Sequence, residues 1–235
     1  MQTKKDAEIV GWIGRIGAAG AEHVMGQFEM GRSCAYERLS RLASDGLLEQ
    51  RTLLYRESGL YVATAEALRW CGLDRLGVYE VGPGGFEHAR TVASAAVALH
   101  QGFPGWELLS ERQLRIEESD RDELVASAKV GERLDGRPAL HRPDLVLIAP
   151  DDRVLAVEIE LSIKAPRRLV AICRAWARAR HVAHIYYLAT DPAARAVSRA
   201  IAETRSEDRI TVLALAGTGT MIASESEEAS DARVL

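Results

Sequence analysis

Asp144, Glu158 and Glu160 are the residues whose type and spacing offer the most chemistry. They lie in the stretch HRPDLVLIAPDDRVLAVEIELSIK, from His141 to Lys164. An apolar run from Leu145 to Ala149 ends at Pro150, Asp151 and Asp152, and Arg153 to Leu161 then alternates in side-chain type, a pattern that predicts a β-hairpin. Side chains alternate across a strand, so Val154, Ala156, Glu158 and Glu160 should share one face and Leu155, Val157, Ile159 and Leu161 the other. With Asp144 entering at the start of the neighbouring strand, three carboxylates could converge on Mg²⁺ or Mn²⁺, hard cations that favour oxygen ligands. Such an ion would activate water against a phosphodiester. The same two glutamates also suit the solvent face of an edge hairpin, and the residues alone leave both readings open.

At these positions the chain resembles the PD-(D/E)XK nuclease superfamily, with Pro143 and Asp144 as its PD element and Glu158, Ile159 and Glu160 in its second element. The resemblance implies metal binding by Asp144, Glu158 and Glu160. Glu160 occupies the place of the family lysine, as it does in some active restriction enzymes of that superfamily. Lys164, four residues on, could return its ammonium to the site, although Ala165 and Pro166 suggest that the strand has ended.

The elements around the hairpin agree with a sheet flanked by helices. Pro166 starts a helical pattern through Arg180, HVAHIYYLAT reads as a buried strand, and a helix from Pro192 to Glu203 and a strand from Ile210 to Ala214 follow. Between residues 164 and 199 Asp191 is the only acid, and Arg167, Arg174 and Arg178 fall near one helical face, a stripe suited either to phosphates or simply to solvent. Leu169, Ile172, Cys173 and Trp176 should form the buried face.

The 235 residues are 47% hydrophobic, enough for one large or two small domains with a core, and the formal net charge of -4 restricts any nucleic-acid contact to local basic patches. The three cysteines are isolated, which suits a reducing cytoplasm and offers neither a disulfide framework nor a zinc motif. No apolar run reaches membrane-spanning length and the first residues lack a signal-peptide core, so the expected location is the cytoplasm, with no membrane partner. No nucleotide-binding motif appears.

Ahead of this region the chain predicts helices at Ala7 to Ile16, Ala21 to Gln27 and Ser33 to Ser44, the last closed by Asp45 and Gly46. The third should bury Tyr36, Leu39 and Leu42 and leave Arg38 and Arg41 outside. LLEQRTLLYRES and LYVAT then read as two strands, and TAEALRWCGL as a further helix, together a winged helix-turn-helix pattern. In that arrangement the third helix reads bases and the wing touches phosphates, which makes Arg32, Ser33, Arg38, Arg41, Arg51 and Arg56 candidates for double-stranded DNA. Basic and acidic residues balance over residues 1–76, so contact with protein or a second copy of the chain is the alternative.

Gly82 to Gly85 mark an expected boundary between a winged-helix unit (1–81) and an α/β (α+β) restriction-endonuclease-like unit (86–216), a mixed sheet flanked by helices. The helix opening at Phe86 carries Glu87, a candidate catalytic acid, and His88, which could meet a phosphate or simply cap the helix; Glu111 and His141 are weaker candidates. Residues 117–138 read as a helix and a loop, and residues 217–235 as an acidic, disordered tail.

Taken in order, YERLSRLASDGLLEQ, LYVATAEAL, FEHARTVASAAVAL, WELLSERQLR, RPDLVLI and VEIELS resemble the replication-relaxation family of plasmid and mobile-element proteins over residues 8–215. The resemblance implies a role in replication, maintenance or transfer, with replication or transfer proteins as partners, and a palindromic DNA site would imply a homodimer. Two classes of function follow: a DNA endonuclease using Mg²⁺ or Mn²⁺ at Asp144, Glu158 and Glu160, with Lys164 assisting, or a non-catalytic regulator whose nuclease-like domain grips DNA or dimerises.

Overall fold

The computed structural model describes residues 3–52 and 58–215; Arg56 and the acidic tail lie outside the described residues. Helix α1 (Lys4–Ile16) opens with a reciprocal cap, in which Thr3 Oγ1 accepts the Asp6 N–H and the Asp6 carboxylate accepts the Thr3 N–H. It ends at Gly17, whose φ of 106° and approach to the Tyr79 ring leave little room for a side chain. After β1 (Ala18–Ala19), α2 (Ala21–Phe28), α3 (Arg32–Ser44), β2 (Leu48–Arg51) and β3 (Leu60–Ala63) comes α4 (Ala65–Trp70). Strand β3 lies between β1 and β2 in an antiparallel sheet. In α3 the buried stripe is Ala35, Leu39 and Leu42, whereas Tyr36, expected inside, is exposed beneath the Arg32 guanidinium. Positions 35, 39 and 42 follow the same helical rows as 36, 39 and 42 within one step, so the pattern could not choose between Ala35 and Tyr36.

The second unit begins with α5 (Phe86–Gly102), followed by β4 (Glu107–Ser110), α6 (Glu111–Arg121), β5 (Ala128–Glu132), β6 (Pro138–His141), β7 (Leu145–Ile148), β8 (Val154–Glu160), α7 (Pro166–Arg178), β9 (His184–Ala189), α8 (Asp191–Thr204) and β10 (Ile210–Ala214). Five strands form a mixed sheet in the order β10-β9-β8-β7-β4. β8, β9 and β10 are parallel, and β7 runs antiparallel to both of its neighbours. Glu111 stands in the first turn of α6, because Ser110 ends β4 and caps that helix by accepting the Gln113 N–H. The stretch expected as a helix and loop contains the separate β5–β6 hairpin. Its polar strands and the irregular register between Lys129 and Gly131 hide the period-two signal.

Strand alternation sends Leu145, Leu147, Val157 and Ile159 into a core shared with α5 and α1, and Val146, Ala156, Ile185 and Tyr187 into one shared with α7 and α8. The first of these cores runs continuously from the three N-terminal helices into the five-stranded sheet. Polar ties reinforce it: Ser110 Oγ donates to the Arg15 carbonyl, and Arg112 donates to the carbonyls of Gly14, Leu76 and Gly77. Gly82 leads into a single 3-10 turn (Pro83–Gly85) that passes directly into α5.

His23 is a buried clasp between α2 and α5. Its Nδ1 accepts the Gly20 N–H at 2.8 Å, and its Nε2 stands 2.9 Å from Ser94 Oγ. Burial lowers its pKa, outweighing the pull of Glu22 towards the charged form. The folded state therefore disfavours the proton, and the stability that neutral His23 contributes is full above the ordinary histidine value and fades as pH falls below it. The stability gap between the native chain and His23→Asn is expected to narrow between pH 7.5 and pH 5.5 in urea melts; a gap independent of pH would show that His23 titrates alike in both states.

Candidate functional site

The candidate site sits where β7 begins and β8 ends. Continuing the pairing of Leu145 with Val157 sets Asp144 opposite Glu158. Asp144 Oδ2 accepts the Ile159 N–H at 2.7 Å, in the place where a ladder carbonyl would otherwise stand. Glu158 and Glu160, on alternate positions of β8, face the α7 side of the sheet, and each is only 3% exposed.

Buried carboxylates need partners, and here each has a cationic or imidazole neighbour. His88 Nε2, from the first turns of α5, lies 2.9 Å from Asp144 Oδ1. His141 Nε2, at the end of β6, lies 2.6 Å from Glu158 Oε1. Lys164 Nζ, in the connection between β8 and α7, is 2.5 Å from Glu160 Oε2. That contact is an ion pair without hydrogen-bond alignment, and Glu160 Oε2 has no hydrogen-bond partner. The hydrogen bond to Asp144 raises the His88 pKa against the effect of burial. Burial lowers that of His141, but Glu158 more than offsets it and the net shift is upward. Both imidazoles therefore hold a proton to higher pH than a free histidine.

Behind the glutamates, the His141 ring meets Trp176 edge-on and Tyr187 pairs with Glu158 across the β8–β9 ladder. Burial pushes the Cys173 thiol up to about 12, with Glu158 adding to the shift, and pushes the Tyr187 phenol well above its usual range. Neither group ionises near neutral pH, so the acid–base capacity of this site rests with the carboxylates, the two histidines and Lys164.

The structure thus brings together Asp144, Glu158, Glu160 and Lys164, and adds His88 and His141. Glu87 is exposed on α5, one position from the residue that reaches Asp144. Glu111 pairs with Arg115 along α6. The donor chemistry of the three carboxylates, gathered where β7 begins and β8 ends, suits a hard divalent cation. Among the described residues, however, no three histidine, cysteine or acidic side chains already stand as a metal-holding group. Cation binding would require the carboxylates to turn away from their present partners.

The candidate DNA contacts are scattered more widely. Arg32 and Ser33 are exposed at the start of α3. Arg38 and Arg41, on the same helix, both bind the buried Asp6 carboxylate, at 2.6 and 2.8 Å. Arg51 pairs with Glu49. On α7, Arg167 and Arg178 are exposed, and Arg174 lies 3.7 Å from Glu203. The intramolecular role of Arg38 is not readable from the helix pattern, because Asp6 lies 32 residues away. His141 gives no sign of its partner either, since β6 is not a strand of the sheet that carries Glu158. No described helix is long and apolar enough to cross a membrane. Comparison with family models, curated proteins and solved structures found no match to this chain.

Proposed function

We propose that this chain is a double-stranded-DNA-binding protein of a plasmid or mobile element, acting in replication, maintenance or transfer, with a nuclease-like site that cleaves phosphodiesters in the presence of Mg²⁺ or Mn²⁺. The observation that carries the cleavage reading is the gathering of Asp144, Glu158 and Glu160 at one end of a mixed sheet, with Lys164 returned to Glu160. The order of elements from α5 through β4, β7, β8, α7 and β9 supports a restriction-endonuclease-like domain. Three helices followed by the β2–β3 pair support a winged helix-turn-helix in residues 1–81. Arg32 and Ser33 are its most available groups for DNA, and Arg167 and Arg178 offer phosphate contacts beyond it. The plasmid or mobile-element role, and the replication or transfer partners that go with it, rest on the family resemblance.

Asp144, Glu158 and Glu160 would hold the divalent ion, which when bound supplies Lewis-acid activation of water. Lys164 keeps a positive charge beside Glu160, near the position of the superfamily lysine. His88, partly open to solvent beside Asp144, can supply a proton to the leaving oxygen.

A second reading, a non-catalytic regulator that uses this domain to grip DNA or to dimerise, is favoured by the pairing of each carboxylate with a base of the chain itself. Supercoiled plasmid incubated with Mg²⁺ or Mn²⁺ separates the two readings. The native chain is expected to shift and nick the plasmid, and Asp144→Asn, which keeps an acceptor for the Ile159 N–H, to shift it without nicking. A shift without nicking from both proteins selects the regulator, and no shift from either removes DNA as the partner.

A further inference from the structure

The β5–β6 hairpin stands apart from the five-stranded sheet and ends beside the candidate site, since His141 closes β6 and holds Glu158. Its base is anchored. Ala126 and Ala128 are fully buried, and Glu118 accepts the backbone N–H groups of Val125, Ala126 and Ser127. Its tip is well formed: the Arg133 N–H donates to the Arg137 carbonyl, Asp135 accepts the Arg137 N–H, and Gly136 takes the φ of 78° that closes the turn.

The turn explains Asp135 and Gly136 but not Leu134, which is fully exposed between Arg133 and Arg137, themselves exposed. Arg133 and Arg137 also border a recess with Arg142 and Asp122. Between residues 128 and 142, Lys129, Arg133, Arg137 and Arg142 outnumber Glu132 and Asp135, in a chain of formal net charge -4. An apolar tip flanked by guanidiniums fits one class of surface in particular. Arginines bind the phosphates on either side of a duplex groove, and an apolar side chain enters between base steps.

We propose that the β5–β6 hairpin is a DNA-gripping finger, with Arg133 and Arg137 on the phosphates and Leu134 as a wedge in the groove of a duplex that reaches the Asp144 site. The inference rests on the DNA-binding reading above. Four residues of extended chain lead from Arg137 at the tip to His141, so at about 3.3 Å per residue the tip would stand roughly 13 Å from the His141 end of the hairpin, on the order of four base pairs along the duplex.

Fluorescence anisotropy of the full chain on a labelled 30-base-pair duplex, over a range of salt concentrations, tests it. The double variant Arg133→Ala/Arg137→Ala is expected to bind more weakly, with the slope of log affinity against log salt reduced by roughly two, about 0.9 for each phosphate no longer neutralised. Leu134→Ser is expected to lose roughly tenfold in affinity at an unchanged slope. All three side chains are exposed, so thermal melts of the variants should match the native chain. If the native chain binds and the double variant matches it in affinity and slope, the finger is overturned and the DNA-binding reading stands. If the native chain binds no duplex, both fall, and the exposed tip is left to a protein partner.

Discussion

Glu118→Ala is expected to lower the stability of the chain by about 3–5 kcal/mol, read as a shift of the urea midpoint at unchanged slope. Glu118 is buried, and its Oε1 accepts three successive backbone N–H groups, from Val125, Ala126 and Ser127 at 3.1, 3.2 and 2.9 Å. Its Oε2 accepts the Ser127 hydroxyl and lies 3.4 Å from Arg142 Nε. Truncation leaves those backbone donors without the acceptor they now share, each at about 1–3 kcal/mol. Glu118→Gln keeps one carbonyl oxygen and should recover part of the loss. A loss below about 1 kcal/mol for the alanine variant would mean that the segment satisfies its N–H groups with water instead. Because the same segment roots the β5–β6 hairpin, Glu118→Ala should also loosen His141 and Arg142, and hydrogen exchange in residues 125–142 would rise with it.

Asp6→Ala is expected to cost about 2–4 kcal/mol, less than a fully buried ion pair because Arg38 and Arg41 remain partly open to water. The Asp6 side chain is 0% exposed, closes the N-terminal cap of α1 on Thr3, and joins α1 to α3 through both arginines. Burial alone would raise its pKa, but the hydrogen bonds from Thr3 and the Arg38 guanidinium outweigh that and lower it. A carboxyl whose folded value lies below its unfolded one contributes stability that is full above the unfolded value and is lost as pH falls through the folded one. The difference between the native chain and Asp6→Ala should accordingly hold from pH 7 to about pH 5 and shrink steadily below about pH 4. A difference that persists unchanged to pH 2.5 would assign the effect to packing rather than charge. The pairing also bears on the proposed DNA binding: Arg38→Ala removes one of the two guanidiniums that hold Asp6, so a binding test of that variant has to be compared with its melting curve.

Much of the second unit is legible because its residues speak locally. The alternation from Val154 to Glu160, the turn at Pro150 to Asp152, and the Pro166 start of α7 each follow from steric and burial rules that act within a few residues. The same rules put Glu158 and Glu160 on one face and Leu169, Ile172, Cys173 and Trp176 inside, as found. The expectation for Tyr36 fails at the resolution of a single helical step. Within residues 117–138 the hairpin strands are polar and irregular, so no apolar period betrays them and a loop is expected in their place.

The sequence by itself determined the order of strands and helices from β7 to β10 and the shared face of Glu158 and Glu160, because dihedral preference and side-chain period are properties of neighbouring residues. Only the tertiary structure decided which group stands beside each carboxylate: His88 for Asp144, His141 for Glu158, Lys164 for Glu160, and Arg38 with Arg41 for Asp6. Most of these pairs are separated by 17 to 56 residues, and a charge in a low-dielectric interior responds to distance in space rather than along the chain. The same holds for the single core that joins the N-terminal helices to the sheet, since burial of apolar surface is nondirectional and any two complementary faces can satisfy it.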